Sequence, residues 1–178
     1  LMVGRELSEF YDRDIHQPGD CVLKAVNVVS PTYPEIPVSI EVRAGEIVGI
    51  AGLVGAGRTE LLQTFFGVTP SLGGELEVEG VSFSPCSPAD AVRAGLALAP
   101  EDRKQHGLVL PMTVRENASL PSLDRDQKMG FLDHSKEKEI ADEAVEQMKI
   151  KTPSIEQAAR FLSGGNQQKI VLGKWLAM

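Results

Sequence analysis

Apolar and polar positions alternate from Val22 to Val29 and again from Val38 to Val42, a period of two that predicts two strands. Arg43-Ala44-Gly45-Glu46 reads as a turn. The run Glu46 to Ala51 is short, mostly apolar and β-branched, the pattern of a buried strand. Good helix formers then fill Thr59 to Phe66, with Gly67 placed to stop the helix. Glu75 to Glu79 predicts a further strand between turns at Gly73-Gly74 and Gly80. Ser87-Pro88 opens a short helix that ends near Gly95, and Leu96 to Ala99 predicts a second short buried strand. From Thr113 onward the period lengthens to that of helices. Thr113-Val114-Arg115-Glu116 fits a capping box, as does Ser154-Ile155-Glu156-Gln157. Asp133 to Lys149 predicts a charged amphipathic helix whose apolar stripe (Ile140, Ala141, Ala144, Val145, Met148) fits core packing. Ser163 is placed to cap a last helix, which tolerates an internal Gly173. Residues 1–20 are mostly polar and close at Pro18-Gly19-Asp20, so they read as a lead-in. Residues 21–112 form a β-rich portion with the phosphate loop described below, and 113–178 a helical portion.

Composition narrows the function classes. With 178 residues, 42% apolar and 24% charged, the chain is an ordinary globular domain with room for one sizeable core. A net charge of -7 argues against a nucleic-acid partner, while leaving room for a local anion site built from backbone N–H groups. Cys21 and Cys86 form no C-x-x-C pair, and His16, His106 and His134 are scattered, so no zinc set is present. Two unrelated thiols suit a reducing, cytoplasmic compartment. No apolar run reaches the roughly 20 residues of a spanning helix, and no signal peptide is evident. Leu1 in place of an initiator methionine, and a final helix without a stop signal, lead to the expectation of a piece excised from a longer polypeptide.

Gly52-Leu53-Val54-Gly55-Ala56-Gly57-Arg58-Thr59 matches the phosphate-loop pattern G-x-x-x-x-G-K-[ST] everywhere except at Arg58. Glycines let the backbone curl and turn successive N–H groups inward. The following helix brings its positive end to the same place, with Glu60 in its first turn. The Thr59 hydroxyl is a candidate Mg²⁺ ligand. Arg58 keeps the positive charge of the usual lysine but carries a planar fork of different shape, so slow or absent hydrolysis at this loop is expected. The plain alternative is a glycine-rich turn that holds no ligand. A second candidate anion site is the run Leu162-Ser163-Gly164-Gly165-Asn166-Gln167-Gln168-Lys169, where Ser163 and the following amides sit at a helix start. An ordinary serine-capped helix is its plain reading.

On these two runs, in this order, the chain resembles the ATP-binding-cassette (ABC) ATPase family. Within it, the chain is similar to the ATPase subunits of bacterial monosaccharide importers, which fuse two cassettes in one polypeptide. Gly52 through Leu61, Pro100-Glu101-Asp102-Arg103-Lys104 with Gly107-Leu108, Val114-Arg115-Glu116-Asn117 and the Ser163 run all resemble the second cassette. Met2-Val3-Gly4-Arg5-Glu6 is similar to the segment that joins the halves.

The resemblance implies an α/β fold, a P-loop NTPase core with an antiparallel β lead-in and a helical subdomain. It implies ATP and Mg²⁺, with Gly52, Gly55, Ala56, Gly57, Arg58, Thr59 and Glu60 at the nucleotide and Thr59 at the metal. It implies a partner cassette whose ATP is completed by Ser163, Gly164, Gly165, Asn166 and Gln167, and transmembrane permease subunits beneath, which would place the protein at the inner face of the membrane. Glu101 stands where most cassettes have a metal-sensing glutamine. Tyr33 is the candidate for stacking on adenine, with a plain loop tyrosine as the equal alternative. The family's catalytic acid and switch histidine follow the signature helix, so the chain alone is expected not to hydrolyse ATP efficiently. Strands that flank Glu46–Ala51 in the family also come from there. An open edge at that run is therefore expected, with a homodimer, domain swapping or weak order near the loop as its consequence.

Two rivals stand beside the importer reading. One is a non-catalytic module that binds nucleotide and donates its signature to a partner. The other is a phosphate-loop kinase or GTPase, which leaves the Ser163 run unexplained and lacks an Asn-Lys-x-Asp guanine reader.

Overall fold

The alternation at the start of the chain does build strands. The computed structural model describes residues 17–178. The segment Met2–Glu6 and most of the 1–20 lead-in lie outside the described residues. β1 (Cys21–Val29) pairs antiparallel with β2 (Val38–Arg43), Ala25 facing Ile40. On its other side β1 pairs antiparallel with β3 (Gly73–Val78), Ala25 facing Leu76, and β3 pairs with the short β4 (Val81–Ser82). The sheet order is β2-β1-β3-β4. The register shifts near Asn27, which adopts φ 50 and whose N–H donates to the Ser39 hydroxyl at 2.9 Å. Gly74 packs directly on the Asn27 backbone at φ +88, a place no side chain fits.

Helix α1 (Arg58–Phe65) lays Leu61 and Phe65 on this sheet. With Ala25, Val28 and Leu76 they form one buried cluster, flanked by Leu23, Val38, Ile40 and Phe83. Gly67 stops the helix as expected: it has φ +74 and its N–H donates to the Thr64 carbonyl. These elements belong to a compact unit that ends at Ser87.

The second unit, Pro88–Met178, is helical. It contains α2 (Pro88–Arg93), a π-helical turn at Arg103–Gly107, α3 (Val114–Ser119), α4 (Leu123–Asp126), α5 (His134–Gln147) and α6 (Gly164–Leu176). Its core has two clusters. Leu108, Val114, Ile150, Ala159, Ile170 and Val171 form one, and Ala118, Ile140, Ala141 and Ala144 the other. The predicted stripe of α5 is therefore core, with Val145 and Met148 packed at its margin. The Thr113 box forms in full: the Thr113 hydroxyl accepts from the Glu116 N–H at 3.1 Å, and Glu116 Oε2 accepts from the Thr113 N–H at 2.8 Å. Those bonds from Thr113 hold the Glu116 carboxyl below its ordinary value. Across the helices, the buried Glu137 accepts from Arg115 Nη1 at 3.0 Å and from the Ser119 hydroxyl at 3.1 Å.

Three expectations fail. Glu46–Ala51 is not a strand and is not buried: Ile47 is 93% exposed, and beyond it Leu53 is 85% and Val54 100% exposed. A strand needs a neighbour to take its N–H and C=O groups, and no described strand pairs with this run. An open sheet edge there, the expected route to a homodimer, accordingly does not exist; what stands exposed is an unpaired apolar segment. Leu96–Ala99 is also not a strand, although the Trp175 indole N–H anchors it by donating to the Leu98 carbonyl at 3.0 Å. At Ser154 the hydroxyl accepts from the Glu156 N–H at 3.1 Å, but the chain makes only a turn before the single 3₁₀ turn Ala159–Phe161. Among the described residues no helix is long and apolar enough to cross a membrane.

Candidate functional site

The phosphate-loop residues lie together at the start of α1. Gly55 and Gly57 both adopt left-handed backbone, φ 82 and φ 81. Between them Ala56 closes a turn, its N–H donating to the Leu53 carbonyl at 3.1 Å. Gly57 is the N-cap of α1 and offers no side-chain acceptor, so the first-turn amides of Arg58, Thr59 and Glu60 have no capping group. A helix start left uncapped behind two left-handed glycines is a concave array of donors, suited to a polyanion.

Arg58 folds back over the loop. Its Cδ and Nε lie 3.8 and 4.0 Å from where a Cβ on Gly52 would sit, and the Ala56 Cβ is 3.1 Å from the same point. Gly52 thus leaves room for both. Thr59 is exposed and presents its hydroxyl, whereas Glu60 is half-buried. No cluster of three metal-ligating side chains exists among the described residues. The residues therefore fit a triphosphate, and a divalent ion would be held here by the Thr59 hydroxyl together with the phosphate oxygens it accompanies. Tyr33 stands over the loop. Its hydroxyl donates to the Gly55 carbonyl, and its ring lies against Gly57.

The second site is built separately, within the helical unit. Ser163 is the N-cap of α6; its hydroxyl accepts from the Asn166 amide side chain at 3.1 Å and, at 3.5 Å, from the Asn166 N–H. Asn166 Oδ1 in turn accepts from the Lys151 N–H at 2.9 Å, tying the turn to the preceding loop. Ser163, Gly164 and Gly165 are exposed. Gln167 is buried and turned inward, where its Nε2 donates to the Ala159 carbonyl at 3.1 Å. The exposed part of the run is thus Ser163, Gly164 and Gly165; Asn166 is half-buried and bonded to Ser163, and Gln167 is turned inward.

Sequence reasoning assigned no role to Arg103, and the structure gives it one. Its Nε donates to Gln167 Oε1 at 3.2 Å, and its Nη2 lies 2.6 Å from where a Cβ on Gly164 would sit. A guanidinium thus rests on the amide end of α6, beside Gly164. Nothing in the local sequence signals this, because the partners are far apart along the chain. Arg103 opens the π-helical turn, whose N-cap is Asp102: Asp102 Oδ1 accepts from the Lys104 and Gln105 N–H groups at 2.9 and 3.1 Å. The bond from Gln105, then that from Lys104, keeps the Asp102 carboxyl below its ordinary value. The turn's other end is pinned to α6 by buried Lys174, whose ammonium donates to the Gly107 carbonyl at 2.7 Å. Burial pushes the Lys174 ammonium down from its ordinary value. Glu101 is exposed just ahead of this turn.

Arg103→Ala is expected to destabilise the helical unit by about 1–3 kcal/mol, because a buried carboxamide oxygen loses its donor. Gly164→Ala is expected to push the Arg103 guanidinium aside and so to cost more with Arg103 present than in the Arg103→Ala background. Urea unfolding of the four chains gives the coupling, expected at about 0.5–3 kcal/mol. Additive effects would remove Arg103 from the account of the turn.

The model of a family described as ABC transporter matches residues 36–178, which takes in the loop and the Ser163 run but stops short of Tyr33. The ribose import ATP-binding protein RbsA of Chromobacterium violaceum is 42% identical over 177 residues, covering 99% of this chain and 35% of its own length. The xylose import ATP-binding protein XylG of Thermoanaerobacter pseudethanolicus is 44% identical over 184 residues, covering 99% of this chain and 36% of its own. The chain therefore spans about a third of the length of these relatives. Among solved structures, a nucleotide-free ATP-binding cassette from an ABC transporter aligns with a TM-score of 0.69 at 22% identity, covering 89% of this chain and 65% of that one. The dimeric cassette MJ0796, in a post-hydrolysis state bound to ADP and Pi, aligns at 0.66 and 19% identity, covering 87% of this chain and 69% of that one. The fold is that of a P-loop ATPase cassette.

Proposed function

Because the chain belongs to the ABC transporter family, we propose that it is the nucleotide-binding portion of a cassette that drives carbohydrate import. Mg²⁺ and ATP are taken at the loop: the amides of Gly55, Gly57, Arg58, Thr59 and Glu60 receive the phosphates while Ala56 closes the turn between them, Arg58 adds positive charge beside Gly52, and Thr59 meets the metal. Ser163, Gly164 and Gly165 complete the ATP of a partner cassette. The observation that carries the reading is the uncapped start of α1 behind left-handed Gly55 and Gly57. The import of a sugar rests on the ribose and xylose importers to which the chain is 42% and 44% identical. As the second cassette of a fused pair, docked on transmembrane permease subunits at the inner membrane face, the chain would contribute no sugar contact of its own.

The bound triphosphate supplies the energy of a phosphoryl transfer, in which a protein acts mainly by positioning and charge stabilisation. This chain's part is to hold and orient the phosphates. A second reading keeps binding but drops turnover: a regulatory cassette that lends its signature to the partner. Arg58 in place of lysine and Glu101 in place of glutamine favour it. The readings separate on Arg58→Lys in the intact transporter. A rise in ATP turnover at this site identifies Arg58 as the brake on a hydrolytic loop; an unchanged rate favours the regulatory cassette. Titration of the chain itself with ATP and Mg²⁺, with phosphate release followed in parallel, is expected to give saturable binding without release. Failure to bind would remove both readings.

A further inference from the structure

Arg103 is half-buried, and only part of its guanidinium is engaged. Nε donates to Gln167 Oε1 at 3.2 Å, while Nη1 and Nη2 have no hydrogen-bond partner among the described residues. No described carboxylate forms an ion pair with it. Asp102, next to it in sequence, is occupied by the Lys104 and Gln105 N–H groups. Nη2 lies 2.6 Å from where a Cβ on Gly164 would sit, which brings the free edge of the guanidinium to the first residue of α6. That helix is 13 residues long, and its opening amides carry the positive end of its dipole. The amides of Gly164 and Gly165 have no acceptor within the helix. The Ser163 hydroxyl, 3.1 Å from the Asn166 amide side chain and 3.5 Å from the Asn166 N–H, is taken up by that residue. A cation and a positive helix end therefore face each other with no described counter-charge between them. Such an arrangement is self-repelling until an anion joins it.

The guanidinium is also held in place. Gln167 fixes Nε, and the π-helical turn that carries Arg103 is tied to α6 at its far end by the bond from Lys174 to the Gly107 carbonyl. Gly107 packs on α6 so closely that a Cβ there would lie 2.9 Å from Val171 Cγ2. We infer that Arg103 is a phosphate-contacting residue of the Ser163 turn: its Nη groups and the Gly164 and Gly165 amides together receive the terminal phosphoryl group of the nucleotide that a partner cassette presents. The inference rests on the reading above that sets Ser163, Gly164 and Gly165 at a partner's ATP, and it adds a charged donor from a separate segment to those neutral ones. A planar fork meets two phosphoryl oxygens at once, which a lysine at the same place does not.

The test titrates the labelled chain with inorganic phosphate, which stands in for the terminal phosphoryl group, at constant ionic strength, and follows backbone amide and arginine side-chain N–H resonances by NMR. In the wild-type chain the Gly164 and Gly165 amides and the Arg103 side-chain N–H are expected to shift saturably with one shared affinity. Arg103→Gln removes the charge and the fork. It is expected to weaken phosphate at Gly164 and Gly165 by about tenfold or more, the worth of a hydrogen bond to a charged group, while the response of the Gly55 and Gly57 amides stays as in the wild type. Arg103→Lys keeps the charge alone and is expected to regain part of that loss. Gly164 and Gly165 amides that respond while the Arg103 N–H stays still overturn the inference and leave the signature reading standing, because a guanidinium that only props the turn has no reason to move with the anion. Phosphate affinity unchanged in Arg103→Gln, or as weak in Arg103→Lys as in Arg103→Gln, overturns it likewise. Wild-type Gly164 and Gly165 amides that do not respond at all overturn the signature reading and this inference with it, whatever the Gly55 and Gly57 amides do.

Discussion

Gly57→Val is expected to weaken Mg²⁺-ATP binding by about tenfold or more, and to lower the melting temperature of the chain by a few degrees. The residue sits at φ 81, left-handed backbone that a β-branched residue adopts at a cost of about 1–2 kcal/mol. Each 1.4 kcal/mol is roughly a factor of ten in affinity. If the backbone relaxes to avoid that cost, the peptide planes on either side of Gly57 rotate and the amides no longer converge. If it does not relax, the new Cβ stands 2.5 Å from two ring carbons of Tyr33 and fixes bulk where the ring only rests. Either response damages the site. The loss of stability stays near that strain, because Gly57, although buried, lies outside the three hydrophobic clusters. Titration calorimetry and a thermal melt of the same sample check both halves of the expectation. Wild-type affinity in Gly57→Val would mean that phosphates are held somewhere other than this turn.

The largest expected loss of stability is at the other site. Ile170 on α6 is 0% exposed and packs with Leu108, Val114, Ile150, Ala159 and Val171. Truncation to alanine is expected to cost about 2–5 kcal/mol, the range for a buried aliphatic side chain whose surroundings close only in part. Against a typical total of roughly 5–15 kcal/mol, that is a large share. Leu172, two residues along the same helix and 41% exposed, is the control; its truncation is expected to cost a small fraction of the Ile170 value. Urea unfolding reads the difference as a lower midpoint with an unchanged slope. The result bears on function because α6 carries Ser163 at its first turn. A helix that loses its anchor holds the amides of Ser163, Gly164 and Gly165 less firmly, which on the proposed function would give a partner's nucleotide a less ordered surface. Equal losses for Ile170→Ala and Leu172→Ala would show that the cluster does not anchor the helix.

Much of the fold could be read from local pattern, where local physics decides the outcome. Thr113 and Glu116 form their box because both partners lie within one turn. Ile140, Ala141 and Ala144 reach the core because a period of 3.6 places them on one face. Gly57 and Ser163 mark helix starts whatever surrounds them. Glu46–Ala51 and Leu96–Ala99 show the limit. Both have the composition of buried strands, yet composition is silent on whether a neighbour exists to complete the ladder, and no described strand pairs with either. Ser154 shows another limit, since a capping residue can close a turn that never becomes a helix.

The two candidate sites were legible as motifs and not as geometry. The loop pattern pointed to Gly52 through Thr59, but not to Arg58 lying back over Gly52, nor to Tyr33 laid across Gly55 and Gly57. The signature pattern pointed to Ser163 through Gln167, but left unstated that Gln167 faces inward and that Arg103 seats against Gly164. Contacts between residues distant in sequence leave no periodic trace, which is why glycine was recognised at these positions while its neighbour was not.

Backbone amides between Gly52 and Glu60 are proposed to gather a nucleotide's phosphates, and amide shift mapping by NMR on the labelled chain, titrated with a non-hydrolysable ATP analogue and Mg²⁺, reads them one by one. The largest shifts are expected on Gly55, Gly57, Arg58, Thr59 and Glu60, with Tyr33 moving in step at the same ligand concentration. Saturable binding whose shifts fall elsewhere and leave these amides unmoved would mean that the phosphates are held by other residues.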